Sequence, residues 1–597
     1  MEERKGITMF FLLKRVWTHS KGNRVTVATY WLMLVISELI NTFWLPLVMA
    51  QFIDVATRDG VNPKTAGKLA MLLSFLVLRS IASWIFHGPA RIMENNNAFQ
   101  VRVSYREYLL RGVMSVPYKW HVEHHSGETI DKIGKGAMGL YDFTSESFQI
   151  VKPLIRLVGS MGMVLYFSPL SIFVVVGMLV LSGIFTMSFD KVLAPLYRDL
   201  NKQENEIAKR VQDVVTNIST VVVLRVENVV IDSLIKVMKS PFEMFKKNNK
   251  FNELKWFVTS LCANSMTAMV LGVYLYQHRD SEGGVTLSGL YLILNYLDKI
   301  GELFYDFTSL NGWMIRKKFN LLNAEELSKD FVVEEKPAEK YLPKNWQKVS
   351  VAGLTFSYSN NDDPEIHLDD VSLEIVRGSR IAVVGKSGDG KSTYLKITRG
   401  LYEPMISEVI VDGEKISGEF LGMSGSVSYV PQDPELFDTT VLENITLGRE
   451  FSNELIEKYC EMACFSQVID KLPHGIQSSI KEKGVNLSGG QAQRLALTRG
   501  LLASHDSDIV LLDEPTSSLD PTTEMIVYQN IFKGFAGKTI ISSVHRLNLL
   551  PLFDMVYMFE DGRIVGSGNL QTLLSTCHEF QTLWADWQKH KEEVEAY

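Results

Sequence analysis

Residues Thr26–Phe52 contain a single charged side chain, Glu38, in a run that is otherwise apolar or weakly polar. About 20 such residues in a helix cross the hydrocarbon core of a bilayer. Hydrocarbon offers no hydrogen-bond partners, so a segment of this kind must close its backbone bonds internally, as a helix. Five more stretches follow. One begins near Lys68 and is broken only by Arg79; then come Leu154–Phe167, Leu170–Phe189 and a stretch around Trp256–Tyr276. The last, around Leu287–Leu310, carries Asp298, Lys299, Glu302 and Asp306. Ser168-Pro169 separates the third and fourth, which reads as a helical hairpin. Six spans are therefore expected. Past residue 320 the pattern changes to short strands, Gly-rich turns and helices.

Composition closes off other classes. The 597 residues hold 61 Lys+Arg against 68 Asp+Glu, a net charge of −7, which excludes a polybasic nucleic-acid binder. Four cysteines exclude a disulfide scaffold, and 46% hydrophobic residues exclude disorder.

Lys14, Arg15, Lys21 and Arg24 precede the first span, which sets that end of the chain in the cytosol. Met1–Arg24 has no small-residue cleavage site, so it reads as a basic amphipathic lead-in rather than a signal peptide. Six spans return the chain to the cytosol. The connections after the first and fifth spans are short (about Asp54–Gly67 and Gln277–Leu287). Those after the second and fourth are long (about Arg91–Val151 and Lys191–Leu254) and helical in period. Helices that run well past the membrane explain this pattern. Two separate soluble subdomains are the alternative, but no Pro/Gly-rich linker bounds them. Residues 324–347 are charged and hold two prolines, so they read as a linker between a membrane part, 1–323, and a C-terminal domain, 348–597.

Gly385, Lys386, Ser387, Gly388, Asp389, Gly390, Lys391, Ser392 and Thr393 form a P-loop. It follows an apolar strand, Arg380–Val384, and opens a helix, as that motif requires. Backbone N–H groups and the helix N-terminus favour phosphate. Lys391 would reach the β/γ-phosphates of ATP, and the Ser392 hydroxyl would ligate Mg²⁺. A second apolar strand, Ile509–Leu512, delivers Asp513 to the Mg²⁺ shell and Glu514 to the attacking water. Leu487-Ser488-Gly489-Gly490-Gln491 opens a further helix, so Ser488 and the Gly489 and Gly490 amides form an anion site. The P-loop of the same chain already holds a nucleotide, so the natural ligand is the γ-phosphate of ATP on a second copy. The plainer reading is a Gly-rich helix cap.

With these motifs in order, residues Val349–Trp587 resemble the nucleotide-binding domain of an ABC transporter. The resemblance implies further roles. Gln432, in Val430-Pro-Gln, corresponds to the Q-loop glutamine that reaches Mg²⁺ and water. Asp520, in Ser517-Ser-Leu-Asp, corresponds to the D-loop. His545 corresponds to the switch histidine, and Tyr358 to the aromatic that stacks on adenine. Six spans, a linker and this domain resemble a half-transporter of the type IV exporters. The implied fold is a domain-swapped membrane α-helical bundle fused to an α/β P-loop ATPase domain. Coupling helices are implied near Lys135–Tyr141 and Asn217–Leu224. Two departures stand out. The stretch before the signature keeps Glu482 and Gly484 but lacks a second glycine, and Asp389 occupies a P-loop position more often small or polar, where solvent exposure is expected to keep it from repelling phosphate.

The implied activity is ATP-driven export of an amphipathic drug, lipid or similar molecule by alternating access. Both halves of the site are intact, so two copies make two complete sites: a homodimer is expected in the bilayer, with a heterodimer as the alternative. A regulatory or channel-like membrane protein of the same fold is the second functional class, and it predicts degenerate catalytic residues or a long insert. Residues 1–25 leave no room for a peptidase domain, and no Arg/Ser-rich leader is evident. A bacterial inner membrane is therefore expected, with an unspecified eukaryotic membrane as the alternative. Glu38 and Asp298, with Asn41, Trp44, Asn295 and Tyr296, line a cargo site on one reading and make interhelical hydrogen bonds on the other. His121, His124 and His125 read as a helix surface rather than a metal site, and Cys460 and Cys464 as packing.

Overall fold

The computed structural model describes residues 8–124, 126–279, 285–331, 340–359, 365–480 and 487–595. Glu482, Gly484 and His125 lie outside them. The chain forms two compact units, one of residues 1–114 and 125–331, the other of 115–124 and 332–597.

The first unit is helical. An entry helix, α1 (Thr8–His19), is followed by α2 (Arg24–Arg58) and α3 (Pro63–Ser115). Pro117 has no N–H to continue α3 and instead starts a short helix, α4 (Tyr118–Glu123). Then come α5 (Ser126–Ser145), α6 (Phe148–Phe167), α7 (Ser171–Thr216), α8 (Ile218–Val223), α9 (Glu227–Lys239), α10 (Phe242–Gln277) and α11 (Leu287–Leu327). Among the described residues, five stretches are long and apolar enough to cross a membrane: α2, α3, α7, Ser126–Phe167 and Glu227–Gln277. The sixth expected span, α11, has ample length at 41 residues. Its four charges between Asp298 and Asp306 hold it below the apolarity of the others.

Polar side chains fix the joints. The break at Ser168-Pro169 is closed by Ser168, whose hydroxyl meets Ser171 at 2.6 Å and Gln277 at 2.5 Å. Glu94 of α3, fully buried, accepts from the Ser147 hydroxyl at 2.6 Å and the Phe148 N–H at 3.0 Å. Its carboxylate thereby caps α6, whose own N-cap side chain does not.

The first coupling helix is not where the resemblance put it. Lys135–Tyr141 lies in the interior of α5. The short helix is α4, and it groups with the second unit, where Tyr118 packs edge-on against Tyr402 at 5.6 Å. The break comes earlier because Pro117 ends α3. The second short helix, α8, falls within Asn217–Leu224.

The second unit holds two sheets. β1 (Lys348–Phe356), β2 (Leu368–Val376), β4 (Ile406–Val411) and β5 (Glu414–Lys415) form an antiparallel sheet in the order β2-β1-β4-β5. β3 (Arg380–Val384), β6 (Val427–Val430), β7 (Ile509–Asp513), β8 (Thr539–Ser543), β9 (Met555–Glu560) and β10 (Arg563–Gly568) form the other, in the order β10-β9-β3-β8-β7-β6. Its strands are parallel except β10. Helices α12 (Lys391–Thr398), α13 (Val441–Thr446), α14 (Asn453–Met462), α15 (Ser466–Ile469), α16 (Gly489–Ala503) and α17 (Pro521–Gly534) connect them, and α18 (Leu570–Thr576) and α19 (His578–Glu595) follow. The strand period of two puts Ala382, Val384, Val510 and Leu512 in one core, and Ile381, Val383, Ile509 and Leu511 in the core on the opposite face. A parallel sheet buried on both faces reads as a continuous apolar run, which is why RIAVV and IVLL were legible as strands. Cys460 is buried in this core, as its packing role required.

Candidate nucleotide-binding and hydrolysis site

The parallel register aligns strand ends. Val383 of β3 pairs with Ser543 of β8, and Ser543 pairs with Asp513 of β7. Val430 of β6 pairs with Leu512. The P-loop, Gln432, Asp513, Glu514 and His545 therefore leave the sheet at the same carboxyl-end edge, where open α/β sheets bind ligands.

The P-loop needs its glycines. Gly390 has φ +94°, and a Cβ there would come within 2.6 Å of Leu368 Cδ2 and 3.1 Å of the His367 carbonyl. It is the N-cap of α12. Lys386, Ser387 and Gly388 are exposed at the loop tip. Lys391 is buried and donates to the carbonyls of Gly385 (2.9 Å) and Lys386 (2.6 Å). Burial lowers its pKa, while the carboxylates of Asp389, Glu514 and Asp513 work to raise it. Asp389 corrects the expectation of solvent exposure: only 7% of it is exposed. Its carboxylate turns back into the loop and accepts the Lys386 N–H at 2.5 Å, because a buried carboxylate must find a donor. Thr393 meets the Tyr358 hydroxyl at 3.0 Å. The Tyr358 ring packs edge-on against Phe356 (4.8 Å), His367 (4.9 Å) and Tyr402 (5.1 Å). Burial raises its pKa.

Asp513 gathers hydroxyls. Its Oδ1 accepts from Ser392 (2.9 Å) and Ser543 (2.7 Å), and its Oδ2 from Tyr429 (2.9 Å). Burial and the adjacent Asp513 raise the Tyr429 pKa. Glu514 follows with φ +46°, a left-handed conformation that costs on the order of 1 kcal/mol or more for a non-glycine residue. Its amide donates to the Ser543 hydroxyl at 2.9 Å. Its carboxylate takes one hydrogen bond from Gln432 Nε2 at 2.7 Å and faces His545 Nε2 with the other oxygen. Three of the expected catalytic groups thus stand together. Gln432 is held on Glu514 here and not on the Ser392–Asp513 pair. Beside Glu514 and His545 lies a cavity of about 280 Å³ that Glu524 also lines.

The signature segment stands apart. No hydrogen bond or ion pair among the described residues joins Ser488–Gln491 to the P-loop. Ser488 and Gln491 form a reciprocal capping box on α16, with bonds of 2.9 and 3.3 Å. Gly490 packs close to the following loop, where a Cβ would meet the Ser518 carbonyl at 3.1 Å, while Gly489 faces open space. Asp520 is the exposed N-cap of α17, accepting from Thr522 (3.1 Å) and Thr523 (2.9 Å).

Four residues of the site escaped the sequence reading. Ser543 and Tyr429 reach Asp513 from neighbouring strands, and only their places two and three residues before His545 and Gln432 hint at it. Gln493, two residues past Gln491, donates to the Glu514 carbonyl (3.3 Å) and Ser517 (2.9 Å) and accepts from Ser518 N–H (2.8 Å). Glu524, 4% exposed, accepts from Thr516 (2.7 Å) and from Arg546 (3.1 Å), the neighbour of His545.

In the membrane unit Glu38 and Asp298 part company. Glu38 is buried and accepts from Arg156 at 2.7 Å; Arg156 also donates to Glu302 at 2.9 Å. Asp298 is exposed. Just past α4, its C-cap His124 stacks on Trp120 at 4.1 Å.

The ABC transporter family model matches residues 368–517, and the model of the ABC transporter transmembrane region matches residues 27–296. The chain belongs to the ABC transporter family. This ABC transporter is 27% identical over 495 residues to ATP-binding cassette sub-family B member 6 of Mus musculus, covering 80% of this chain and 56% of that one. It therefore spans little more than half the length of that relative. It is 26% identical over 499 residues to an ATP-dependent lipid A-core flippase of Idiomarina loihiensis, covering 80% of this chain and 81% of the other. A solved structure of a bacterial Atm1-family ABC exporter with ATP bound shares the fold, with a TM-score of 0.84 at 22% identity over 94% of this chain and 98% of that one. The membrane helices make the ABC transporter a multi-pass membrane protein.

Proposed function

We propose that this ABC transporter hydrolyses ATP and uses the cycle to export an amphipathic molecule by alternating access. The observation that carries the reading is the convergence of Lys391, Ser392–Asp513 and the Gln432–Glu514–His545 cluster on one sheet edge, in a chain that also crosses a membrane. The P-loop amides and Lys391 hold the phosphates, with Tyr358 beside the base. Glu514 takes a proton from the attacking water, Gln432 orients that carboxylate, and His545 senses the γ-phosphate.

The donor set also fits Mg²⁺. Ser392 and Asp513 offer a hydroxyl and a carboxylate already drawn together, the hard oxygen ligands this ion takes. Gln432 completes the proposed set. Bound there, Mg²⁺ would offset charge on the phosphates.

The signature residues Ser488, Gly489 and Gly490, with Asp520 of the D-loop, are assigned to the γ-phosphate side of a second copy, in a homodimer. Gly489 facing open space supports this. The membrane domain is taken as 1–323, the linker as 324–347 and the ATPase domain as 348–597. The finer placement, in a bacterial inner membrane with the ATPase domain cytosolic, belongs to the same proposal.

The test is ATPase activity of the purified protein in lipid nanodiscs against a panel of lipids and amphiphilic cations. Stimulation by one class, lost in Glu514→Gln while ATP still binds, is the expected result. Undiminished turnover in Glu514→Gln would overturn the role of that carboxylate.

A further inference from the structure

Helix α1 is anchored on one side and open on the other. Arg15 forks onto Glu325 near the C-terminal end of α11, with contacts of 2.6 and 3.0 Å, and Leu12 and Val16 are buried. The opposite face bears Phe10 and Trp17, 62% and 47% exposed. Between this face and the first two turns of α2 lies a cavity of about 520 Å³. Its apolar wall includes Leu13, Trp17, Val27, Trp31 and Phe143, and among the described residues the one charged side chain on it is Lys14. A space of this size lies in the range that holds one small-molecule ligand.

The position selects the occupant. The cavity opens where α2 enters its apolar run, between two tryptophans, and tryptophans gather at the bilayer interface. The basic cluster before the first span places this interface on the cytosolic side, where phospholipids are rich in anionic headgroups. Lys14 stands one helical turn from Trp17, and Arg24 lies over the Trp17 ring at 5.1 Å. Among the described residues, no carboxylate comes within ion-pair distance of Lys14, Lys21 or Arg24. Cations with no counter-charge among the described residues, beside an apolar slot, form a surface complementary to a chain with an anionic head.

We propose that the cavity between α1 and α2 is a binding site for an anionic glycerophospholipid of the cytosolic leaflet, with one acyl chain in the slot and the phosphate on Lys14. The site lies outside the nucleotide machinery and does not depend on which molecule is exported.

The full-length protein, freed of lipid in detergent, is mixed with equal amounts of phosphatidylglycerol and phosphatidylcholine of matched chains. Native mass spectrometry then counts the adducts. The expected result is about fivefold more phosphatidylglycerol adduct, with the ratio falling to about one in Lys14→Glu. Ala28→Trp fills the slot from an exposed position on α2 without changing charge, and it should remove most of the adduct of both lipids. Circular dichroism and gel filtration check that both variants fold. In the unmutated protein, a brominated acyl chain should quench the fluorescence of Trp17 and Trp31. Equal adducts of the two lipids, or a phosphatidylglycerol adduct that survives Ala28→Trp, would overturn the proposal. So would variants that change the oligomeric state and leave the lipid count alone, since a second copy would then cover this face.

Discussion

Gln432 donates from Nε2 to Oε2 of Glu514 over 2.7 Å, while the other carboxylate oxygen of Glu514 faces Nε2 of His545. Both oxygens are engaged, so the orientation of the carboxylate depends on two segments from different strands. Removing one should misdirect the base without weakening nucleotide binding. A hydrogen bond to a charged group contributes about 1.5–3 kcal/mol. Gln432→Ala should therefore lower kcat about tenfold to a hundredfold, with KM for ATP within about twofold. A raised KM at unchanged kcat would show instead that Gln432 serves binding.

Asp389 sets two opposed effects at the P-loop. Its carboxylate occupies the Lys386 N–H, a donor that would otherwise be available to phosphate, and its charge also raises the Lys391 pKa. Asp389→Asn should lower KM for ATP at neutral pH. The same variant should lose affinity sooner on the alkaline side, because burial then lowers the Lys391 pKa against only Glu514 and Asp513. Measuring KM for ATP across pH checks both. A uniform shift with no change in the alkaline limit would exclude the coupling to Lys391.

Arg156 holds two carboxylates within the membrane unit, and Glu38 is only 2% exposed. Removing the cation leaves an uncompensated buried charge, which costs about 3–5 kcal/mol. Arg156→Met should lower the unfolding midpoint in detergent, and Glu38→Gln added to it should restore much of the loss. A single variant that melts like the unmutated protein would show that the pair contributes little.

Glu524 has its pKa raised, chiefly by burial, with Thr516 and Arg546 opposing. A carboxyl whose folded pKa exceeds its unfolded value favours the folded state while protonated, and that contribution is lost as pH rises through the folded pKa. Glu524→Gln has no such term. The melting-temperature difference between Glu524→Gln and the unmutated protein should therefore move in favour of the variant as pH rises from the ordinary carboxylate range toward neutrality. A difference independent of pH would mean the carboxyl keeps one protonation state throughout.

What the sequence made legible follows from how locally each feature is encoded. The P-loop, Asp513–Glu514 and His545 each sit at the end of a short apolar strand, and parallel register alone then brings them together. Tyr429, Ser543 and Glu524 act across strands and helices, so no spacing along the chain marks them. Exposure of Asp389 is the expectation because its charge would otherwise repel the neighbouring phosphates. Its burial depends on the loop folding over its own backbone. The misplaced coupling helix turned on one residue, Pro117, which ends α3 before the periodicity of the following stretch resumes. Five of the six expected spans match stretches long and apolar enough to cross a membrane among the described residues. In α11, Lys299 and Glu302 serve partners on other helices, the Thr42 carbonyl and Arg156, and that purpose is invisible in hydropathy.

Gln493 spends its whole amide on the stretch that follows Glu514: the carbonyl of Glu514, the Ser517 hydroxyl and the Ser518 N–H. It stands on the helix that Ser488 begins. The segment proposed to meet a partner's nucleotide is thus tied to the segment proposed to cleave the chain's own. On that proposal, the filling or emptying of one site in a pair of such chains should register at the other. The two should work as a conversation rather than as two clocks, with ATP dependence departing from a simple hyperbola and Gln493→Leu bringing it back.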